Sequence, residues 1–185
     1  MEKIDYKIII VFVGLPASGK SYTSTHIKQY LTWLGYNISI FNCGNYRRLL
    51  AGGDQPASFF DHTNEYNMKR REKFFYSAMF DLNTFLKIKN GDIGILDATN
   101  TTKNRRKKII NFFSNFNYTK KILFLENITS DNKIINENIL FKSNSPDYIN
   151  YSLEDMQKDF KKRLEYYRNI YESIDDEENL NYIKI

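Results

Sequence analysis

Gly14-Leu15-Pro16-Ala17-Ser18-Gly19-Lys20-Ser21 follows directly on the apolar run Ile8-Ile9-Ile10-Val11-Phe12-Val13. The succession reads as a buried strand, a glycine-bounded turn and the start of a helix, the setting of a Walker A phosphate-binding loop. Glycine lets the backbone N–H groups of such a loop curl round a polyphosphate with no Cβ in the way. Lys20 is then placed to reach the β- and γ-phosphates, and the Ser21 hydroxyl to ligate Mg²⁺. The helix that follows turns the positive end of its dipole toward the same anion. Loop and flanks together predict a bound nucleoside triphosphate and leave the acceptor open.

Outward from the loop, the pattern alternates. Residues 7–13 form the first strand, and 21–34 a helix that ends at Gly35, a suitable C-cap. A short strand over 37–41 leads into 43–61, read as irregular because Gly52-Gly53 and Pro56 act as breakers. Phe75, Met79, Leu82 and Leu86 recur at helical spacing within a long helix over 65–87, as core rather than ligand contacts. A strand at 93–96 ends in Asp97, a helix covers 103–115, a strand 121–125 and a short helix 134–141. Ser152 is placed to cap a last helix whose first turn carries Glu154 and Asp155. Its apolar stripe is Leu153, Met156, Phe160, Leu164, Tyr167 and Tyr171. Asp175-Asp176-Glu177-Glu178 reads as a solvated acidic turn, and 182–185 as a closing strand. Strands alternating with helices predict a doubly wound α/β fold, a mostly parallel sheet with helices on both faces.

Asp97 is the second chemical signal. An apolar strand delivering a carboxylate at its C-terminal end resembles a Walker B element, and ligands of open α/β sheets sit outside that edge. Asp97 would hold Mg²⁺ through water or take the proton from an acceptor hydroxyl. The alternative is a helix-capping aspartate. Beyond it, Ala98-Thr99-Asn100-Thr101-Thr102 and then Arg105-Arg106 suit a phosphorylated acceptor.

Bulk properties bound the rest. The 185 residues, 42% apolar and 16% aromatic, are enough for one domain, 1–185, with a substantial core. The lone Cys43 cannot form an internal disulfide and points to a reducing compartment. No apolar run reaches transmembrane length, and Met1-Glu2-Lys3-Ile4-Asp5 is too polar for a signal peptide. A cytoplasmic protein with small-molecule partners, no membrane and no nucleic acid is expected. The net charge of +5 is met by clusters at Arg47-Arg48, Lys69-Arg70-Arg71 and residues 105–108, which a kinase with two phosphorylated ligands can use.

The chain resembles the kinase domain of the 6-phosphofructo-2-kinase/fructose-2,6-bisphosphatase family. The matching stretches are GLPASGKSY, FNCGNYRR, LDATNTTKNRR, NSPDYIN, FKKRLEYY and the final YIKI, in family order. The resemblance implies a P-loop kinase fold and transfer of the ATP γ-phosphoryl group to the 2-hydroxyl of fructose 6-phosphate, giving fructose 2,6-bisphosphate. Residues Gly14 to Tyr22 would hold the ATP phosphates, and Asn138 to Lys142 would border the nucleotide. Arg47, Arg71, Thr99, Arg105, Arg163 and Tyr167 would bind the sugar phosphate, with packing kept open as a role for Tyr167. Lys142 would lie between the two substrates, and Lys20, Asp97 and Lys142 would carry catalysis.

Departures from the family pattern are visible. Ser18 stands where family loops often carry arginine, a change expected to tune nucleotide affinity. Thr129 replaces a cysteine of many members, and the segment from Asn138 to Lys142 is slightly shorter. The resemblance also implies a homodimer. The end at Ile185 leaves two expectations, a domain excised from a bifunctional enzyme with a C-terminal bisphosphatase, or a monofunctional kinase. Two readings from other classes are another P-loop kinase, such as one acting on polynucleotide ends, and a non-catalytic metabolite-binding module.

Overall fold

The computed structural model describes residues 6–185. Five strands, β1 (Lys7–Val13), β2 (Ile38–Asn42), β3 (Ile93–Asp97), β4 (Lys120–Glu126) and β5 (Tyr182–Lys184), form one all-parallel sheet in the order β2-β3-β1-β4-β5. Six helices connect and cover them: α1 (Lys20–Trp33), α2 (Cys43–Ala51), α3 (Glu65–Lys87), α4 (Lys103–Ser114), α5 (Asn132–Leu140) and α6 (Leu153–Arg168).

The central strand explains the layering. In β1, Ile9, Val11 and Val13 face one way and pack with Phe75, Met79, Leu82 and Leu86 of α3 and Ile109 and Phe113 of α4. Ile10 and Phe12 face the other way and meet Ile38, Ile93, Ile95 and Leu125, with Ile27 and Leu31 of α1 over them. Both faces are covered, so β1 is apolar at every position from Ile8 to Val13 rather than alternating. Each such side chain contributes about 1.5–3 kcal/mol by leaving water. In β3, Gly94 lets α3 lie directly on the sheet, since a Cβ there would sit 2.8 Å from Leu82 side-chain atoms. That close approach helps fix the height of Asp97, three residues on.

Element boundaries shift by a residue or two, and four expectations need correction. Residues 43–51 are a helix, not irregular: the Asn42 carbonyl Oδ1 accepts from the Asn45 N–H at 3.1 Å as an N-cap, and Gly52, at φ +84°, stops the helix. The breakers end an element rather than prevent one; a short 3₁₀ turn follows at Ala57–Phe60. Leu153 is largely exposed and Tyr171 lies beyond the end of α6, so the buried stripe is Met156, Phe160 and Leu164. The Ser152 cap forms as expected, with Oγ accepting from the Asp155 N–H at 3.1 Å.

The acidic turn is not simply solvated. Arg106 is fully buried and holds both carboxylate oxygens of Glu178, at 2.8 Å from Nε and 2.6 Å from Nη2. Its Nη1 donates to the carbonyls of Glu172 at 2.9 Å and Asn100 at 3.2 Å. Lys103 pairs with Asp175 at 2.6 Å. Arg106 is therefore a fork that ties the turn and the C-terminal segment to α4, and not an acceptor ligand.

Candidate active site

The loop after β1 is built as its sequence requires. Gly14, at φ +140°, donates its N–H to the Thr99 carbonyl at 2.9 Å, joining the loop to the segment after β3. A Cβ on Gly14 would lie 2.6 Å from the Asn127 carbonyl oxygen, so both conformation and space demand glycine. Ala17 is left-handed at φ +63°, an uncommon state for a residue with a Cβ. Asn138 on α5 donates Nδ2 to the Ala17 carbonyl at 2.8 Å and clamps that turn. Gly19, at φ +84°, precedes the first residue of α1, so the helix N-terminus opens onto the loop.

Lys20 is 8% exposed and folds back over the loop, with Nζ donating to the Leu15 carbonyl at 2.5 Å and to Ser18 Oγ at 3.3 Å. Burial first, with the cations Lys142 and Arg163 adding to it, lowers its pKa to about 8 against the pull of Asp97. A polyphosphate placed beside it reverses the balance. Nucleotide binding at about pH 8.5 is therefore expected to take up protons, because the free ammonium has partly titrated there and the bound one has not. Calorimetry in buffers of different ionisation enthalpy reads the uptake; it should vanish near pH 6.5, where both states are protonated. No uptake at either pH would contradict the placement of Lys20 against the phosphates.

Asp97 ends β3 beside the loop, 3% exposed. Its Oδ2 accepts from Asn42 Nδ2 at 2.5 Å. The same Asn42 side chain caps α2, so one residue orients the carboxylate and starts the helix that carries Arg47. Asn42 carries no functional signal of its own in the sequence: with 43–61 read as irregular, no helix start is expected for it to cap.

Lys20, Ser21, Asp97, Thr99 and Lys142 line one cleft of about 810 Å³ together with Arg47, Arg71, Arg105, Arg163 and Tyr167. The two sets predicted for donor and acceptor thus meet in one space. Arg71 donates to the carbonyls of Phe60 at 2.5 Å and Asp61 at 3.0 Å. Arg105 pairs with Glu72 at 2.5 Å and stacks 4.0 Å above the Phe75 ring centre. Arg163 lies 3.7 Å over Phe60, and Tyr167 packs its ring against the same phenyl. Lys142, on the turn after α5, has its pKa lowered by burial first and by Arg163 second. Arg47 is nearly buried, with Nη2 on Asp147 Oδ2 at 2.5 Å and Nη1 on the Gly53 carbonyl at 3.2 Å. Arg47 Nε, Arg105 Nη1 and Arg163 Nε are buried without hydrogen-bond partners. Such donors are costly to leave unmade and suit an oxyanion.

Other predicted residues sit at the margin. Tyr22 is 72% exposed and packs edge-on against His26, away from the cleft lining. Gly14, Leu15, Ser18, Gly19 and Asn138 shape the loop from behind, whereas Pro16 and Ala17 reach the cleft. Cys43 also lines it, but burial pushes its thiol pKa up to about 12, which removes it as a nucleophile. Sequence reasoning missed Asp147, which sits inside the quoted NSPDYIN stretch and gathers arginines.

A phosphate loop at the end of β1, a carboxylate at the end of β3 and a cationic wall opposite define a P-loop phosphotransferase fold. Solved structures share it: Chaetomium thermophilum Kti12 in complex with ADP-AlF3 gives a TM-score of 0.61 at 16% identity, over 96% of this chain and 88% of that one. A fungal RNA kinase gives 0.57 at 11% identity, over 98% and 38%. The chain belongs to the 6-phosphofructo-2-kinase family, whose model matches residues 1–185. It is 41% identical over 180 residues to rat 6-phosphofructo-2-kinase/fructose-2,6-bisphosphatase 4. It is 39% identical over 183 residues to 6-phosphofructo-2-kinase 1 of Saccharomyces cerevisiae. The alignments take in 96% and 97% of this chain, which spans only 38% and 22% of those relatives' lengths.

Proposed function

We propose that the protein transfers the γ-phosphoryl group of ATP to the 2-hydroxyl of fructose 6-phosphate, releasing ADP and fructose 2,6-bisphosphate. The observation that carries this reading is the cleft itself. It joins a phosphate loop and Asp97 to a wall of arginines with buried, unpartnered N–H groups. Two anionic substrates need such a wall on the acceptor side, and phosphoryl transfer depends on positioning and charge neutralisation.

Roles follow from place. Lys20 and the loop N–H groups bind the β- and γ-phosphates, with Asn138 holding the turn that shapes the nucleotide edge. Asp97, oriented by Asn42, accepts the proton of the sugar 2-hydroxyl as the phosphoryl group arrives. Arg71, Arg105, Arg163 and Tyr167, with Thr99, hold the sugar phosphate. Lys142 neutralises charge between the substrates. Ser21 and Asp97 offer a hydroxyl and a carboxylate in the same cleft, hard oxygen donors that fit Mg²⁺. They would hold the ion, which supplies charge neutralisation on the triphosphate.

Purified protein with MgATP and fructose 6-phosphate is expected to form the acid-labile 2,6-bisphosphate. An acceptor panel that includes oligonucleotide 5′ ends separates this reading from a polynucleotide kinase, and binding without turnover separates it from a metabolite-binding module. Phosphorylation of another acceptor but not fructose 6-phosphate would overturn it. A homodimer is the assembly implied by the family likeness, checked by sedimentation. Among the described residues no helix is long and apolar enough to cross a membrane. Residence in the cytoplasm is in keeping with the free Cys43.

A further inference from the structure

We propose that Asp147 is a positioning residue for the acceptor phosphate, a built-in anion that holds the arginine wall in register before a ligand arrives. The inference rests on the reading that this cleft takes a phosphorylated acceptor. Asp147 is 8% exposed and lies on the turn before Tyr148, which is itself buried. Its Oδ2 takes Arg47 Nη2 at 2.5 Å and Arg163 Nη1 at 3.8 Å. Its Oδ1 takes Arg48 Nη1 at 3.2 Å. Three guanidinium groups from two helices, α2 and α6, thus converge on one carboxylate.

Without that carboxylate the cluster would repel itself. Burial, and then the nearby Arg163, already lower the Arg47 pKa from the usual arginine range. Like charges brought together in a poorly solvated place separate unless an anion sits among them. One carboxylate against three guanidinium groups leaves the cluster in excess of positive charge, so it stays attractive to a phosphate dianion. Two of the three arginines also keep a donor free. Arg47 and Arg163 spend Nη groups on Asp147, while their Nε–H groups remain buried and unpartnered.

The distances grade the roles. Arg47 is fixed by a short ion pair and by the Gly53 carbonyl. The segment carrying Gly53 is pressed against Pro146, where a Cβ would lie 2.7 Å from the carbonyl oxygen. Arg163 is held loosely by Asp147, with its guanidinium carbon 3.7 Å over the Phe60 ring. Arg163 is therefore the arm that turns to the phosphate, and Asp147 with Arg47 is the base it turns on. The chemistry recognised is a phosphate monoester dianion, which outcompetes one shared carboxylate where a neutral sugar would not.

The test is Asp147→Asn, which keeps shape and removes charge. The KM for fructose 6-phosphate is expected to rise about tenfold or more, with the KM for ATP within about twofold. Inorganic phosphate, added with the phosphate loop filled by a non-hydrolysable ATP analogue, serves as a probe independent of the sugar: its binding, read by calorimetry, should weaken by a similar factor. A folded Asn variant with an unchanged or lowered sugar KM and intact phosphate binding overturns the inference. If that variant fails to fold, Asp147→Glu decides. It keeps the charge one methylene further out, and a rise of a few fold in sugar KM alone is expected. Glu-variant constants that rise together, or both stay at wild-type values, overturn the inference. Wild-type protein that binds phosphate yet never phosphorylates fructose 6-phosphate would sink the proposed function. Under that outcome the phosphate arm still tests Asp147.

Discussion

Lys20→Met is expected to remove turnover while leaving the fold at least as stable. The ammonium is buried under the phosphate loop, folded onto the Leu15 carbonyl and Ser18 Oγ. Losing a preorganised charge that acts on the transition state costs on the order of 10³-fold in kcat/KM, about 4 kcal/mol. Stability moves the other way. The folded-state pKa of Lys20, about 8, lies below the free-lysine value of 10.5, so the folded state disfavours its charge at neutral pH. Methionine fills similar volume without that desolvation. Initial rates alongside a thermal melt check both halves. A rate within about tenfold of wild type would show that the loop does not carry the chemistry.

Asp97→Asn should follow with a loss of about 10²–10⁴-fold in kcat, the range for removing a positioned base. Asparagine can still accept from Asn42 Nδ2 through its carbonyl, so geometry is retained and the effect reports charge. A second consequence separates this from simple misplacement. Asp97 is the group that raises the pKa of Lys20 against its burial. Without it Lys20 loses its proton below about 8, and the alkaline limb of kcat/KM for MgATP should move to lower pH. A pH profile of the residual activity reads this directly. Full activity in the Asn variant, or an unmoved limb, would remove Asp97 from the roles given to it.

The donor half was legible because its signals are local. Strand, loop and helix follow one another within residues 7–34, and each constrains the next. Asp97 was legible because an apolar strand ending in a carboxylate points to one edge of the sheet. Helix α2 was not, since Gly52-Gly53 and Pro56 weigh against a helix in a window that includes them, while the cap that starts it is a single asparagine. The Arg106–Glu178 pair was not legible because its members are 72 residues apart, and a solvated acidic turn looks identical in sequence. Asp147 escaped for the same reason: its partners come from two helices distant in the chain. The arginines of the acceptor wall were named through family likeness, and the chemistry of each alone would fit an ordinary surface residue.

Arg105 and Arg106 stand side by side on α4, yet one faces the cleft and the other the C-terminal segment. Adjacent positions on a helix are about 100° apart, enough to assign neighbouring codons to different tasks. At 106 a lysine could not hold both carboxylate oxygens and two carbonyls, so natural selection there would act through how much folded protein a cell retains. At 105 the same replacement would be judged by the charge it leaves in the cleft. Variation across this dipeptide in related genomes would therefore record two histories, one of the fold and one of the cleft, written in consecutive letters.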